Sequence, residues 1–540
     1  MAERGSARHV GGGVARAALL IAAITMLARV IGFGRQLVFA HTVRASCLGT
    51  AYTTANMVPN IIYDIVLGGA LTAVVVPVLT GDANSERARQ TSAALLTWTV
   101  VLLVPVSVIV AAVADPLVSV LLGNAPGCPR ASMVTLGGRM LLLFAPQIVL
   151  YGLAVVLYGV LQAHRRFAAA ALAPVLSSLV VIGAYAWFGV VGGKYVSDLP
   201  ALPTTAWVIL AAGTTAGVAA LVLTPLVPMA RLRLRLRPTL RFPAGVAVRV
   251  RSLAAAGIAT LVVQDASTAV VIVLANSRGG GGALVLYSFA WAVFFLPYAV
   301  LAVPIATSAF PELSARATSD TAGFDTTTAT ATRAILVASW LGAAGMAGVC
   351  VPLARVFQSH PNEAADARQL AIAFALFAPA LVGYGLVALL SRVLYAGGRN
   401  RQAAVAVSVG WVVVIAADLV IVPFVPRGWV VPALGAGTSI GLTVGGLALL
   451  LLVRRDRGAA ALRGCTRATV AGLTGALVGA AAGWGVSVAV PASGFGPNVA
   501  STVLASGTVL AVFVAVVAAV DGGDLRAMLS RVVRGRESPS

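Results

Sequence analysis

The chain has 540 residues, 59% of them hydrophobic and only 10% charged, with a formal net charge of +21. Soluble domains carry about 25% charged residues, so water is not the main solvent of this protein. The apolar stretches are continuous and lack the alternation of barrel strands, which leaves helices as the way across a bilayer.

The first apolar run starts near Val14 and leads into Arg29 and Arg35 without an A-x-A cleavage site, so it reads as a first span and not a removable signal. Further runs long enough to cross about 30 Å of hydrocarbon recur to the end of the chain. The expected spans are 14–40, 48–80, 93–122, 133–163, 168–191, 205–230, 253–276, 283–313, 331–357, 369–396, 403–424, 429–453, 469–490 and 499–520. With the N-terminus inside, the inner segments hold 27 basic residues, seven of them between Arg231 and Arg251. The outer segments hold seven: Arg44, Arg130, Lys194, Arg278, Arg355, Arg368 and Arg427. That asymmetry follows the positive-inside rule and predicts a bacterial inner-membrane protein with both termini cytoplasmic. Basic residues that flank helices in this way also argue against a nucleic-acid partner.

The chain repeats itself. Phe144-Ala145-Pro146 opens a twenty-residue stretch that matches the one opened by Phe377-Ala378-Pro379 at eleven positions, with an offset of 233. Similar offsets pair Pro77 with Pro311 and Tyr52 with Tyr287. Six spans fit the interval, and an even number preserves orientation, so the repeat is parallel. The expected organisation is an all-α fold with an N-terminal lobe over 1–230 and a basic cytoplasmic linker over 231–252. A C-terminal lobe over 253–455 and two more helices with a basic tail over 456–540 complete it. The linker alternates arginine and leucine from Arg231 to Arg237; it lies on the membrane surface or is a solvated loop.

Charges inside spans are costly and mark function. Here they are Arg29, Arg35, Asp64, Arg139, Asp265, Arg392 and Asp418. Arg29 and Arg35 are about 9 Å apart along a helix axis and about 120° around it; two guanidiniums bordering a wide cavity suit a phosphate or diphosphate. The alternative is that each pairs with a buried acid such as Asp64. Gly32 and Gly34 between them soften the backbone and admit close neighbours. In the second span Pro59, Gly68, Gly69 and Pro77 predict a bent or broken helix lining a cavity, and Asn60 and Asp64 are candidate substrate-binding residues there beside Arg29 and Arg35. Asp265 and Asp418 are candidate cation or proton sites, or carboxylates that are protonated or paired, and Arg392 is placed to snorkel. Cys47, Cys128, Cys350 and Cys465 show no metal or redox spacing. Cys47 and Cys128 share the outer side, where a disulfide is open to them; two unpaired small residues are the simpler expectation. No nucleotide loop and no metal-spaced His/Cys group is present, so neither enzymatic activity nor a cofactor is expected, beyond a coupling ion (Na+ or H+) or the membrane potential.

Three stretches resemble the MurJ/MviN family of lipid II flippases, in the MOP exporter superfamily. The run from Ala28 to Arg35, followed by Asn56 to Asn60 and Gly68 to Pro77, follows the family's R-V-x-G-F-x-R, x-x-P-N and G-A-x-x-x-x-x-V-P pattern. The second stretch is Leu161 to Phe167 with Ala173-Pro174, and the third runs from Leu296-Pro297 to Phe310-Pro311. The resemblance implies two six-helix lobes around a central cationic cavity. It also implies alternating-access transfer of an undecaprenyl-diphosphate-linked peptidoglycan precursor from the inner to the outer leaflet. Arg29 and Arg35 fall on the family's first-span cavity arginines, and Asp418 on a position that in some members contributes to a sodium site. The implied partners are the lipid-linked diphosphate, membrane lipids and cell-wall-synthesis proteins. The chain departs from the family at Tyr63-Asp64, where many members carry a basic pair, at Gly68, where they carry an acid, and near Ala292, where they carry an arginine. Those departures keep two rivals open: an exporter of another lipid-linked glycan or amphiphile, and a membrane scaffold that has lost transport.

Overall fold

The computed structural model describes residues 3–66, 86–164, 166–232, 237–242, 246–358, 360, 363–490 and 493–537, and all regular structure among them is helical. They divide into two compact units, Met1–Thr268 and Ala269–Ser540. The first contains α1 (Glu3–Thr42), α2 (Cys47–Val66), α3 (Glu86–Ala112), α4 (Ala114–Leu122), α5 (Arg130–Phe144), α6 (Gln147–Ala163), α7 (Phe167–Gly192), α8 (Thr204–Arg231) and most of α9 (Val246–Leu274). The second contains α10 (Ala283–Pro297), α11 (Val303–Arg316), α12 (Thr321–Gly348), α13 (Cys350–Phe357), α14 (Ala364–Phe377), α15 (Ala380–Ala396), α16 (Asn400–Ile421), α17 (Val430–Arg457), α18 (Cys465–Ala489) and α19 (Phe495–Glu537).

Among the described residues, eleven helical stretches are long and apolar enough to cross a membrane, or thirteen when two bent pairs each count as one span. The expected second span, 48–80, begins as α2 and continues beyond the described residues. Large apolar side chains stand on the outside, Val190 and Phe424 each 86% exposed; hydrocarbon accepts such surfaces without cost. This is a multi-pass, all-helical membrane protein.

The repeat is visible in where helices break. The Phe-Ala-Pro motif separates α5 from α6 and α14 from α15, the latter pair by 42°. Pro146 and Pro379 withdraw the N–H groups that would bond the carbonyls four residues earlier. A second matched break lies at Val113, between α3 and α4, and at Val349, where α12 and α13 diverge by 64°. In both cases a proline, Pro116 or Pro352, stands three residues on. Packing repeats as well. Tyr52 lies 5.6 Å from Phe144, centroid to centroid, and Tyr287 lies 5.5 Å from Phe377.

The bends expected at Gly32, Gly34 and Pro59 are not where helices break. α1 and α2 run through them as uninterrupted helix, and a Cβ at Gly32 or Gly34 would meet no heavy atom within 4 Å. Glycine weakens a helix without removing a hydrogen bond, so the break goes to proline pairs elsewhere. Gly68, Gly69 and Pro77 lie outside the described residues. Close approach through glycine does occur in the second unit, where a Cβ on Gly383 of α15 would lie 2.4 Å from the Leu442 carbonyl oxygen of α17.

Residues 237–242 of the basic linker dock on α3: the Thr239 N–H donates to Thr97 Oγ1 (3.1 Å) and Trp98 Nε1 donates to the Leu240 carbonyl (3.1 Å). The two last helices belong to the second unit, joined to α12 by a cluster of Ala344, Ala476, Val509, Phe513 and Val517. At the arginine-rich end, Arg457 binds Asp325 (2.9 Å), Arg399 binds Asp456 (2.7 Å), and Arg467 binds Asp521 (2.9 Å) at a kink in α19.

Cys47 and Cys128 form a disulfide with Cα atoms 5.7 Å apart, tying the start of α2 to the turn between α4 and α5; the expectation of two unpaired thiols is corrected. Eighty-one residues separate them, a span across which sequence spacing says nothing about proximity. Denatured without reductant, the full chain should therefore alkylate at two thiols, Cys350 and Cys465, and at all four only after reduction. Four reactive thiols before reduction would refute the bridge.

Candidate functional site

In the first unit, polar groups gather around the end of α1. Arg35 is half-buried, one turn before Phe39, which packs on Tyr52 (5.3 Å) and Tyr185 (5.2 Å). Residues four apart share a helix face, so Arg35 is directed to the same ring cluster, and its charge acts on the hydroxyls of Tyr52, Tyr151 and Tyr185. The Tyr52 hydroxyl lies 2.8 Å from both Tyr185 Oη and Thr214 Oγ1, and Thr214 in turn donates to the Leu210 carbonyl. The Tyr151 hydroxyl donates to Asn60 Oδ1 (3.0 Å), and its ring packs on Tyr63 at 4.4 Å. Asn60 donates back to the Asn56 carbonyl.

Asn56, Asn60 and Asp64 recur every four residues and form one polar stripe along α2. Asp64 is half-buried, and among the described residues it makes no ion pair. Of the two states open to Asp64, pairing with Arg29 or Arg35 is not seen among the described residues: sequence gives depth in the membrane but not which way two helices turn toward each other. Arg35 likewise has no carboxylate partner among the described residues. Arg29 is exposed on a different face of α1, and Arg139 is exposed on α5. Asp265 on α9 is 4% exposed with Oδ2 unpartnered, and the charge of Asp64 acts on it.

In the second unit the matching tyrosine has a carboxylate beside it in place of a second tyrosine. Tyr287, the repeat partner of Tyr52, stands beside Thr438. Beside it stands Asp418, at the repeat position of Tyr185. Asp418 is fully buried, and neither carboxylate oxygen has a hydrogen-bond partner among the described residues. Gly437 makes room for it, since a Cβ there would lie 2.0 Å from Asp418 Oδ1. No cluster of three His, Cys, Asp or Glu residues exists among the described residues. Arg392 turns its guanidinium back onto the Ala388 carbonyl of its own helix.

Sequence reasoning singled out Asn60, Arg35 and Asp418 as candidates and did not single out Tyr151, Tyr185 and Thr214, which the structure brings around Arg35 and Asn60. Tyrosines in an apolar span read as core, although a buried hydroxyl needs a partner, and the four-residue stripe on α2 was a signal available in the sequence.

A family model described as lipid II flippase MurJ matches residues 39–518; the match starts just past Arg35. The lipid II flippase MurJ of Burkholderia cenocepacia is 26% identical over 474 residues, which is 82% of this chain and 84% of that one. A solved lipid II flippase MurJ in an inward closed conformation superposes with a TM-score of 0.71 at 17% identity, covering 93% of this chain and 99% of the other. An inward-facing multidrug resistance MATE family transporter of the MOP superfamily superposes with a TM-score of 0.63 at 14% identity, covering 82% and 98%. The structural matches share the fold, and the family match runs through both units: the chain belongs to the MurJ family of lipid II flippases.

Proposed function

We propose that this protein carries lipid II, a diphosphate-linked peptidoglycan precursor, from the inner to the outer leaflet of a bacterial inner membrane by alternating access, without covalent chemistry on its cargo. The observation that carries the reading, beside family membership, is Arg35. A guanidinium within a membrane span is expensive unless an anion compensates it, and no carboxylate does so among the described residues. A diphosphate supplies that anion with bidentate geometry, and the surrounding tyrosine and asparagine groups supply further donors. Arg29 extends the cationic path along α1, while Asp64 and Asn60 bound it on α2. Cell-wall-synthesis proteins that make or consume the cargo are the natural protein partners.

Arg35→Ala should lower lipid II transfer in reconstituted vesicles about tenfold or more, the loss of one strong charge-assisted contact. Arg35→Lys should restore only part, because an ammonium keeps the charge but not the fork. Wild-type transfer by the alanine variant would remove the residue from the path.

Asp418 is assigned the coupling cation, Na+ or H+, because its carboxylate is enclosed and unpartnered while Gly437 keeps the space before it open. Asp418→Asn should abolish the dependence of transfer on a sodium or proton gradient. Gly437→Ala, which crowds the carboxylate, should weaken that dependence in the same direction. Transport by both variants with an unaltered gradient dependence would rule the assignment out.

Both termini are placed in the cytoplasm, with the Cys47–Cys128 bridge on the opposite side, where disulfides persist. In a cysteine-free background, a single cysteine at Lys194 should react with an impermeant thiol reagent in intact cells, and one at Arg89 or Thr239 should not. Labelling at either of the latter two would invert or break the topology.

A further inference from the structure

The second unit holds a cavity of about 750 Å³ remote in sequence from Asp418. It is enclosed by α13 and the turn after it, by the small-residue face of α14, and by the facing ends of α18 and α19. Arg355 and Arg368 stand on its lining, with His360 beside them, and no carboxylate lines it. The arginines are exposed and make no ion pair among the described residues. Only seven basic residues fall in the outer segments of the whole chain; two of them lie on this one cavity.

Deeper in, the lining turns to neutral polar groups. Gln358 is 3% exposed, and neither its side-chain oxygen nor its nitrogen has a hydrogen-bond partner among the described residues. Asn498, also 3% exposed, donates from Nδ2 to the Gly494 carbonyl (2.7 Å) while its Oδ1 has no partner. Buried amides are nearly always satisfied, so two of them on one cavity, reached from segments 140 residues apart, call for a polar ligand. The remaining wall is apolar, made of alanines on α14 and the half-exposed indole of Trp484, a side chain suited to the membrane–water interface.

A ligand that matches all three zones has a phosphate for the arginines, hydroxyls for the amides and hydrocarbon for the alanine face. We propose that this cavity binds the headgroup of a hydroxylated anionic phospholipid of the outer leaflet, its phosphate on Arg355 and Arg368 and its hydroxyls on Gln358 and Asn498. The site is independent of the Arg35 path and of the identity of the transported cargo.

The test uses the purified full chain in micelles of a neutral detergent, titrated with phosphatidylglycerol. Retained lipid is counted by native mass spectrometry, and the melting temperature is followed in parallel. Arg355→Gln with Arg368→Gln should weaken the tightest phosphatidylglycerol site about tenfold or more, as expected for loss of paired charge-assisted contacts, and leave phosphatidylcholine binding unchanged. Gln358→Leu should leave the lipid-free protein at least as stable, since it removes an unpartnered amide, while reducing the stabilisation by phosphatidylglycerol. Wild-type lipid affinity in the double arginine variant would overturn the site. Undiminished stabilisation in Gln358→Leu would remove the amide from the site and overturn the assignment of the headgroup hydroxyls to it. Equal protection by inorganic phosphate alone, lost in the arginine variant, would make it a soluble-anion site and overturn the lipid assignment.

Discussion

Hydrocarbon offers a backbone no hydrogen bonds, and this constraint governs every irregularity in the protein. Each interruption of a helix must be afforded by local rearrangement, so the interruptions are few and their positions carry information. They fall at matched places in the two units: Val113 with Val349, and Ala145-Pro146 with Ala378-Pro379. At Val113 and Val349 a short helix follows the break, α4 of 9 residues and α13 of 8. The eighth expected span solves the same problem differently, inserting a π-helical turn at Tyr298–Ala302 between Pro297 and Pro304.

Upon this shared backbone the two units have diverged in sign. Both keep a tyrosine on a threonine, Tyr52 with Thr214 and Tyr287 with Thr438, and both pack that tyrosine on the phenylalanine of the Phe-Ala-Pro motif. In the first unit the hydroxyl cluster faces the guanidinium of Arg35; in the second, Asp418 replaces Tyr185 and brings a carboxylate. One duplicated scaffold thus presents an anion-seeking and a cation-seeking group. The difference arises within a shared scaffold, since Asp418 stands at the repeat position of Tyr185.

Much of this was legible in the sequence because it depends on periodicity and solvation. The spans follow from apolar length, the repeat from the Phe-Ala-Pro stretches, and the candidacy of Asp418 and Arg35 from the cost of charge in lipid. What was not legible depends on azimuth and on distance between segments. Asp64 has the right depth to meet an arginine, yet α2 directs its polar stripe of Asn56, Asn60 and Asp64 toward Tyr151 instead. Cys47 and Cys128 meet only because α2 packs against α4 and α5. Gln358 and Asn498 are unremarkable in isolation and acquire meaning only where the ends of α13, α14 and α19 converge.

The bridge between Cys47 and Cys128 also bears on how the molecule is made. It closes across the second and third expected spans, so it forms only after the turn between α4 and α5 has left the ribosome and met an oxidising environment. Until then α2 and α5 are held together by packing alone. The maturation of the first unit is therefore coupled to the thiol-oxidising machinery of the cell that produces it. A host lacking such machinery would deliver the same polypeptide to the membrane with its first unit chemically unfinished.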